Sequence, residues 1–263
     1  MATVDVIANR STASEILGKA YFETDTNSFI VYNGIGWVEL QSDGTGAAPF
    51  QNNNSLSFDG VDDMVAVGNI TALNSASTYS LSWWENDTNT NVNAETYRFG
   101  GGVATFGLSF YGTNGYFNTG AGTNGYTSYR PSQNAWHHIV VTFESSTVKI
   151  YVDGDSTPKT TIATANSSTA SNAGDGFRIG ARGNNSKYYL GLMDEYAIFG
   201  EALSTGQIAN IYNAGTPGDL SSFVGAGNGD LKHLYRFEQD ATDSQGSNNG
   251  TLTGTTYSNN LPA

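Results

Sequence analysis

The sequence predicts an all-β protein, an antiparallel sandwich or barrel, and three observations carry that prediction. Strand-length runs recur between turn signals across residues 55–200. Of 263 residues, 32 are Gly and only 13% are charged, the profile of short strands joined by many turns. A single segment, ALSTGQIANIYNAG at 202–215, carries a strong helical pattern, so a long-helix protein is excluded.

The length suits one large sandwich, or a sandwich with a small appendage, better than two equal domains. With 11 Lys and Arg against 24 Asp and Glu, the formal charge is −13. That field opposes polyphosphate, so nucleic acid is not an expected partner, and it favours solubility or cation binding. No cysteine is present. The fold must therefore stand on its core, a cation or oligomerisation, without disulfides or thiolate metal sites. The opening MATVDVIANRST has no basic segment followed by an apolar run, and no stretch approaches the length of a membrane helix. Neither ordinary secretion nor membrane insertion is expected.

Taken in order, ASEILGK near the N-terminus reads as a short helix, with Ser11 and Thr12 as caps and Gly18 as its stop. From Lys19 to Leu40 apolar and polar residues alternate at period two, with breaks at Asp25 to Asn27 and at Asn33-Gly34, which predicts a three-strand meander. The meander is too small to bury its own core and reads as an attachment module within residues 1–44. Gln41 to Asn54 reads as a linker, and the main domain, placed at 45–263, takes its first strand at Ser55. Runs such as SLSFDG, YSLSWWEN, WHHIVVTFE and TVKIYVDG follow. The helix at 202–215 has Ser204 as N-cap, Leu203, Ile208 and Ile211 on one face, and Gly215 as terminator.

Four ordered segments carry a resemblance to a known family: SLSFDGVDDMVAVG, AWHHIVVTFESSTVKIYVDG, YLGLMDEYAIFGEALS and the helix IANIYNAG. Together they resemble the laminin-G-like, concanavalin A-like jelly roll over roughly residues 55–215. The resemblance implies a two-sheet antiparallel jelly-roll sandwich. It also implies a first strand with a Gly-rich turn ahead of the FDG corner, and that strand is missing from its place. LKHLYRFEQDATDSQGSNNGTLTG, residues 231–254, has its appearance, so the sandwich is expected to be circularly permuted or completed by strand exchange. In either case Leu231, Leu234, Tyr235 and Phe237 are expected in the core.

The text GKAYFETDTNSFIVYNGIGWVEL is similar to short attachment segments of bacteriophage tail fibres and other virion proteins. That second resemblance implies a virion structural protein, a capsid decoration, fibre or tail adhesin, made in the host cytoplasm and displayed on the particle; the alternatives are a purely structural cement protein of the virion and a bacterial secreted carbohydrate-binding protein. Residues 1–40 would contact other virion proteins, and the sandwich would meet a cell-surface glycan. A homo-oligomer is expected, a trimer by analogy with fibre and decoration proteins.

Relatives of this fold often hold a structural Ca²⁺ at an acidic corner. Asp59, Asp62 and Asp63 crowd one here, and Asp63 and Asp194 are the candidate side-chain ligands. Turn capping by the same carboxylates is the plainer reading. Trp84, Tyr111, Tyr126 and Tyr129 are candidate stacking residues for sugar rings, against the alternative that strand aromatics are core or subunit contacts. Trp136 reads as core. A sandwich glycanase needs carboxylates at i and i+2 facing one cleft. Glu23 with Asp25 and Glu238 with Asp240 have that spacing, but a turn and a strand end spoil them, so no catalytic residue is assigned and the protein is expected not to be an enzyme. His137 and His138 alternate across a strand and cannot share a metal, one being core and the other exposed.

Overall fold

The computed structural model describes the backbone of four short strands ahead of residue 50, and residues 50–262 apart from 75, 92–95, 102–105, 120–124, 128 and 164–175. The short helix expected near residue 14 lies outside the described residues. Two compact units are present, Met1–Gln51 and Asn52–Ala263. The division falls inside the stretch read as a linker.

The first unit is a four-stranded sheet in the order β1-β2-β3-β4, with β1 (Asp5–Ile7), β2 (Ala20–Glu23), β3 (Ser28–Tyr32) and β4 (Trp37–Leu40). Strands β2 to β4 form an antiparallel meander, with Ala20 opposite Val31 and Tyr32 opposite Trp37. Strand β1 adds to it in parallel.

The second unit carries β5 (Ser55–Asp59), β6 (Met64–Gly68), β7 (Thr78–Asp87), β8 (Thr96–Gly101), β9 (Phe106–Tyr111), β10 (Asn114–Thr119) and β11 (Gly125–Thr127). It continues with β12 (Trp136–Glu144), β13 (Thr147–Val152), β14 (Thr160–Ile162), β15 (Phe177–Ile179), β16 (Leu190–Phe199), α1 (Thr205–Tyr212), β17 (Leu231–Tyr235), β18 (Thr251–Thr253) and β19 (Thr256–Ser258). They build two antiparallel sheets, one in the order β11-β10-β9-β8-β15-β6-β18 and the other β14-β13-β12-β7-β16-β5-β19, with β17 also paired to β16. This is the expected jelly-roll sandwich.

Period-two alternation explains how the sheets stack. Ile139, Val141 and Phe143 of β12 join Leu81 and Trp83 of β7 and Phe99 of β8 in the core between the sheets. Trp83 packs edge-on against Phe99 and stacks on Tyr196. The intervening Val140 of β12 and Ala197 and Phe199 of β16 face the other way, into a second apolar cluster with Leu203, Ile208 and Ile211. Helix α1 therefore covers the outer face of the larger sheet, and this is why those strands read as apolar on both sides. Each buried isoleucine of that helix is worth about 1.5–3 kcal/mol.

The helix starts where its sequence says. Ser204 and Gln207 form a capping box, with Ser204 Oγ accepting from Gln207 N and Gln207 Oε1 accepting from Ser204 N at 2.8 Å. Its end differs from the expected Gly215. Asn213 adopts φ +47 and terminates the α-turns, because Asn tolerates the left-handed region. A 3-10 turn over Asn213–Gly215 follows.

The tail 231–258 pairs with strands of its own chain. Strand β16 uses Leu190–Met193 to pair with β5 and Tyr196–Phe199 to pair with β17, so β5 and β17 lie end to end along one edge of it. Strands β18 and β19 then add to β6 and β5, one in each sheet. Leu231, Leu234, Tyr235 and Phe237 are all buried. The turn between β17 and β18 is organised by Asp243, which is bonded to His233 Nδ1 at 2.7 Å and accepts from the N–H groups of Leu234, Gly246 and Asn248. The short strands β14 and β19 were not expected from sequence, since three residues carry too little periodicity to stand out.

Removal of residues 231–263 is expected to abolish the cooperative thermal transition seen by circular dichroism, because it strips two strands, β17 and β19, from the larger sheet and one, β18, from the other. Burial works against the Asp243 charge, but His233 and three backbone N–H groups outweigh it and hold its pKa below the usual value. A depressed folded pKa contributes stability that is present above about pH 4 and lost as pH falls through the folded value. Asp243→Asn is therefore expected to cost about 2–3 kcal/mol at pH 7 and to flatten the acid limb of a urea-denaturation profile.

Candidate functional site

The four candidate sugar-stacking aromatics do not form one platform. Trp84 is 4% exposed and lies on the outer face of β7, stacked on Tyr212 at 5.7 Å and packed beside His138 at 5.0 Å. Helix α1 has covered it. Tyr129 is half-buried and packs on the inner core. Tyr111 is 40% exposed, at the tip of the β9–β10 hairpin opposite Asn114. The Tyr126 backbone pairs with Tyr116, and its side chain lies outside the described residues. Trp136, expected in the core, is half-buried at the surface and donates from Nε1 to Asn260 at 3.0 Å.

The two histidines point to opposite faces as expected, but neither is simply exposed. His138 is buried, 2.8 Å from Ser82 Oγ, and burial lowers its pKa to about 3. His137 bridges Asp153 and Ser132, each at 2.7 Å, and the Asp153 hydrogen bond raises its pKa.

The expected metal pair Asp63 and Asp194 is not brought together. Asp63 sits with Asp59 and Asp62, their carboxylate oxygens within 4.8 Å of one another. Asp63 accepts from Asp59 N and Asp59 accepts from Val61 N, both at 2.8 Å, so two of the three act as turn caps. Asp59 lies opposite Leu190, whereas Asp194 is four residues further along β16, about 13 Å away along the strands.

Asp194 instead occupies the seam between β5 and β17. Its Oδ2 accepts from Asn52 Nδ2 and its Oδ1 from Glu195 N, both at 2.9 Å. Burial pushes its pKa up to about 8, and burial beside Asp194 raises that of Glu195. Glu238, just beyond β17, accepts from Asn53 N at 2.6 Å and from Asn54 Nδ2 at 3.2 Å. The run Asn52–Asn54 thus ties the entrance of the sandwich to β16 and to the segment that follows β17.

A carboxylate pair that the sequence reading passed over lies in WEND. Glu85 and Asp87 are at i and i+2 on β7 and share one face, the spacing that a sandwich glycanase needs. Among the described strands no other carboxylates have it. Both are buried in the sandwich interior and consumed by arginines. Arg98 of β8, itself fully buried, binds Glu85 through Nε at 3.1 Å and Asp87 through Nη2. Arg130 reaches Asp87 as well and donates to Gly112 O at 2.9 Å. Trp83 Nε1 donates to Glu85 at 2.9 Å. Burial alone would raise the Asp87 pKa, but Arg98 and Arg130 outweigh it and hold the carboxyl low. The alternating spacing was legible; the arginine partner arrives from the opposite sheet and was not.

A family model described as the concanavalin A-like lectin/glucanases superfamily matches residues 59–209. Among curated proteins, none matches the chain. Among solved structures, the chain is similar to a Bacteroides ovatus protein provisionally described as carbohydrate binding, at 15% identity and a TM-score of 0.64, over 94% of this chain and 71% of that one. It is also similar to the native heptameric SAP-like pentraxin of Limulus polyphemus, at 15% identity and a TM-score of 0.53, over 78% and 94% of the two chains.

Replacing Arg98 by Met leaves two buried carboxylates without their shared cation and is expected to cost about 3–5 kcal/mol. The double change Glu85→Gln and Asp87→Asn in that background should recover part of the loss, as read by denaturant unfolding.

Proposed function

Because the chain belongs to the concanavalin A-like lectin/glucanases superfamily, we propose that it works on the lectin side of that division, as a non-enzymatic binding protein for cell-surface glycans. The observation that carries this reading is the state of Glu85 and Asp87. The strand-borne carboxylate pair that would serve hydrolysis is locked against Arg98 and Arg130 inside the sandwich, so its charges stabilise the fold and are unavailable for acid–base work. The description of the Bacteroides ovatus neighbour supports the same direction.

The setting we propose is a bacteriophage virion. Residues 1–40 attach to other virion proteins, and the sandwich is displayed on the particle as a capsid decoration, fibre or tail adhesin. The support is the resemblance of the N-terminal segment to virion attachment segments. Assembly as a homo-oligomer, a trimer in the fibre pattern, would multiply weak single-site binding through avidity. On this reading Tyr111 is the stacking residue, since of the three candidates with described side chains it is the most exposed. Its hairpin is braced by the bond from Arg130 to Gly112.

A purely structural role, cementing neighbouring virion subunits, is favoured by the burial of Trp84, which removes one of the candidate stacking residues.

The two readings separate on a glycan array and on intact host cells. The adhesin reading expects saturable binding by the purified protein that Tyr111→Ala weakens at least about tenfold, the loss of roughly 1.4 kcal/mol, without a change in melting temperature. Absence of binding to array and cells alike would leave the cement role.

A further inference from the structure

Where β12 begins and β13 finishes, Ser132, His137 and Asp153 form one hydrogen-bonded line. His137 Nδ1 lies 2.7 Å from Asp153 Oδ2, and its Nε2 lies 2.7 Å from Ser132 Oγ. The carboxylate is fixed by the next residue of β12: Asp153 Oδ1 accepts from His138 N, and Asp153 N donates to His138 O, both at 2.9 Å. A carboxylate at Nδ1 draws the proton of the neutral imidazole to that nitrogen and leaves Nε2 as acceptor for the serine hydroxyl. The same hydrogen bond raises the His137 pKa by favouring the imidazolium. This is the order of contacts by which a serine is made nucleophilic.

The surroundings hold the line in place and leave its serine open. Ser132 stands in the loop that leads into β12, and that loop is pinned on both sides of it. Arg130 donates to Gly112 O at 2.9 Å, and Asn134 N donates to Asp87 O at 2.8 Å. Ser132 is exposed and His137 half-buried, so a small molecule can reach the hydroxyl while the imidazole stays fixed. Each member adjoins a narrow apolar crevice. Pro131 precedes Ser132, Ile139 lies two residues beyond His137 on the same face of β12, and Val152 precedes Asp153; all three line the crevice, together with Phe110, Tyr129 and Ile150. Gln133, next after the serine, keeps a buried side-chain Nε2 without an acceptor, the type of donor that an oxyanion uses.

We propose that Ser132 is an activated nucleophile that takes the acyl group of a small carboxylic ester, with His137 as its general base and Asp153 as the positioning residue that orients the base. Ser132 Oγ bonds to the ester carbonyl carbon as its proton passes to His137 Nε2. The bond from that carbon to the alcohol oxygen then breaks, and the alcohol leaves with the proton from Nε2. One ester and one serine give one acyl-serine and one alcohol, with no oxidant or cofactor required. The narrow crevice suits an acetyl group and excludes a long acyl chain. This inference goes beyond the glycan-binding reading and stands independently of it. A single acylation per chain is a stoichiometric reaction without turnover, and Glu85 and Asp87 take no part in it.

The test treats the full chain with a fluorophosphonate probe, which bonds stably to activated serines, and separately with p-nitrophenyl acetate, each followed by intact mass and peptide mapping. One phosphonyl group per chain is expected, on the peptide that holds Ser132, and a stoichiometric burst of p-nitrophenolate should leave one acetyl group on the same residue. Ser132→Ala should abolish both at an unchanged melting temperature, and His137→Gln should slow labelling at least about a hundredfold. Only neutral His137 accepts the proton, and Asp153 and Glu85 both favour its charged form. The wild-type labelling rate should therefore climb with pH through a midpoint above the usual histidine value of 6.5, and Asp153→Asn should slow labelling and lower that midpoint. The pH profile decides the matter if His137→Gln fails to fold. A hydrogen-bonded brace without chemistry would leave Ser132 unlabelled. That result, labelling at the wild-type rate in His137→Gln, or a rate with no such step in pH would overturn the proposal.

Discussion

The buried Arg98 is the constraint around which the sandwich is arranged. It projects from β8 in one sheet to Glu85 and Asp87 on β7 in the other, so the two sheets are joined by charge as well as by apolar packing. Its guanidinium also lies 4.2 Å from the centroid of the Phe110 ring and 5.0 Å from that of Tyr189, which cover it with aromatic faces. A charge in this position is tolerable only when every neighbour is in place. Arg130 extends the network to the β9–β10 hairpin through Gly112, and so the same electrostatics set the position of the exposed Tyr111.

Satisfaction and its absence divide the acidic residues into three groups. Glu85 and Asp87 meet arginines, and Asp243 meets a histidine and several backbone N–H groups, so each spends its charge on architecture. Asp59 and Asp63 cap a turn. Glu195, with Asp194 beside it, differs in kind: it is buried as deeply as the first group, yet its oxygens lack donors. The strongly negative composition therefore has no single meaning along the chain. Its partners, residue by residue, decide what each carboxylate contributes to the fold.

The C-terminal strand β17 gives the seam its importance. Because β5 and β17 share one edge of β16 end to end, the sheet has a break in its backbone ladder where no continuous strand runs. Asn52–Asn54 and Glu238 bridge that break with side-chain bonds. The bulge at Glu195 lies at the same level. A junction between chain segments far apart in sequence thus coincides with the most irregular stretch of β16.

The sequence by itself determined the elements that rest on local patterns. Alternation placed most strands, the Ser204 capping box started the helix, and the ordered motifs pointed to the jelly roll. Only the tertiary structure decided which side chains meet. The spacing of Glu85 and Asp87 is visible in WEND, but the arginine that neutralises them comes from another sheet. Trp84 reads as a surface aromatic until helix α1, more than a hundred residues later, lies over it. Asp63 and Asp194 are each acidic and beside turns or glycines, yet strand register sets them apart and gives Asp194 the company of Asn52 and Glu195. Periodicity is a property of neighbours along the chain, whereas charge pairing, covering and convergence depend on register and stacking between strands far apart in sequence.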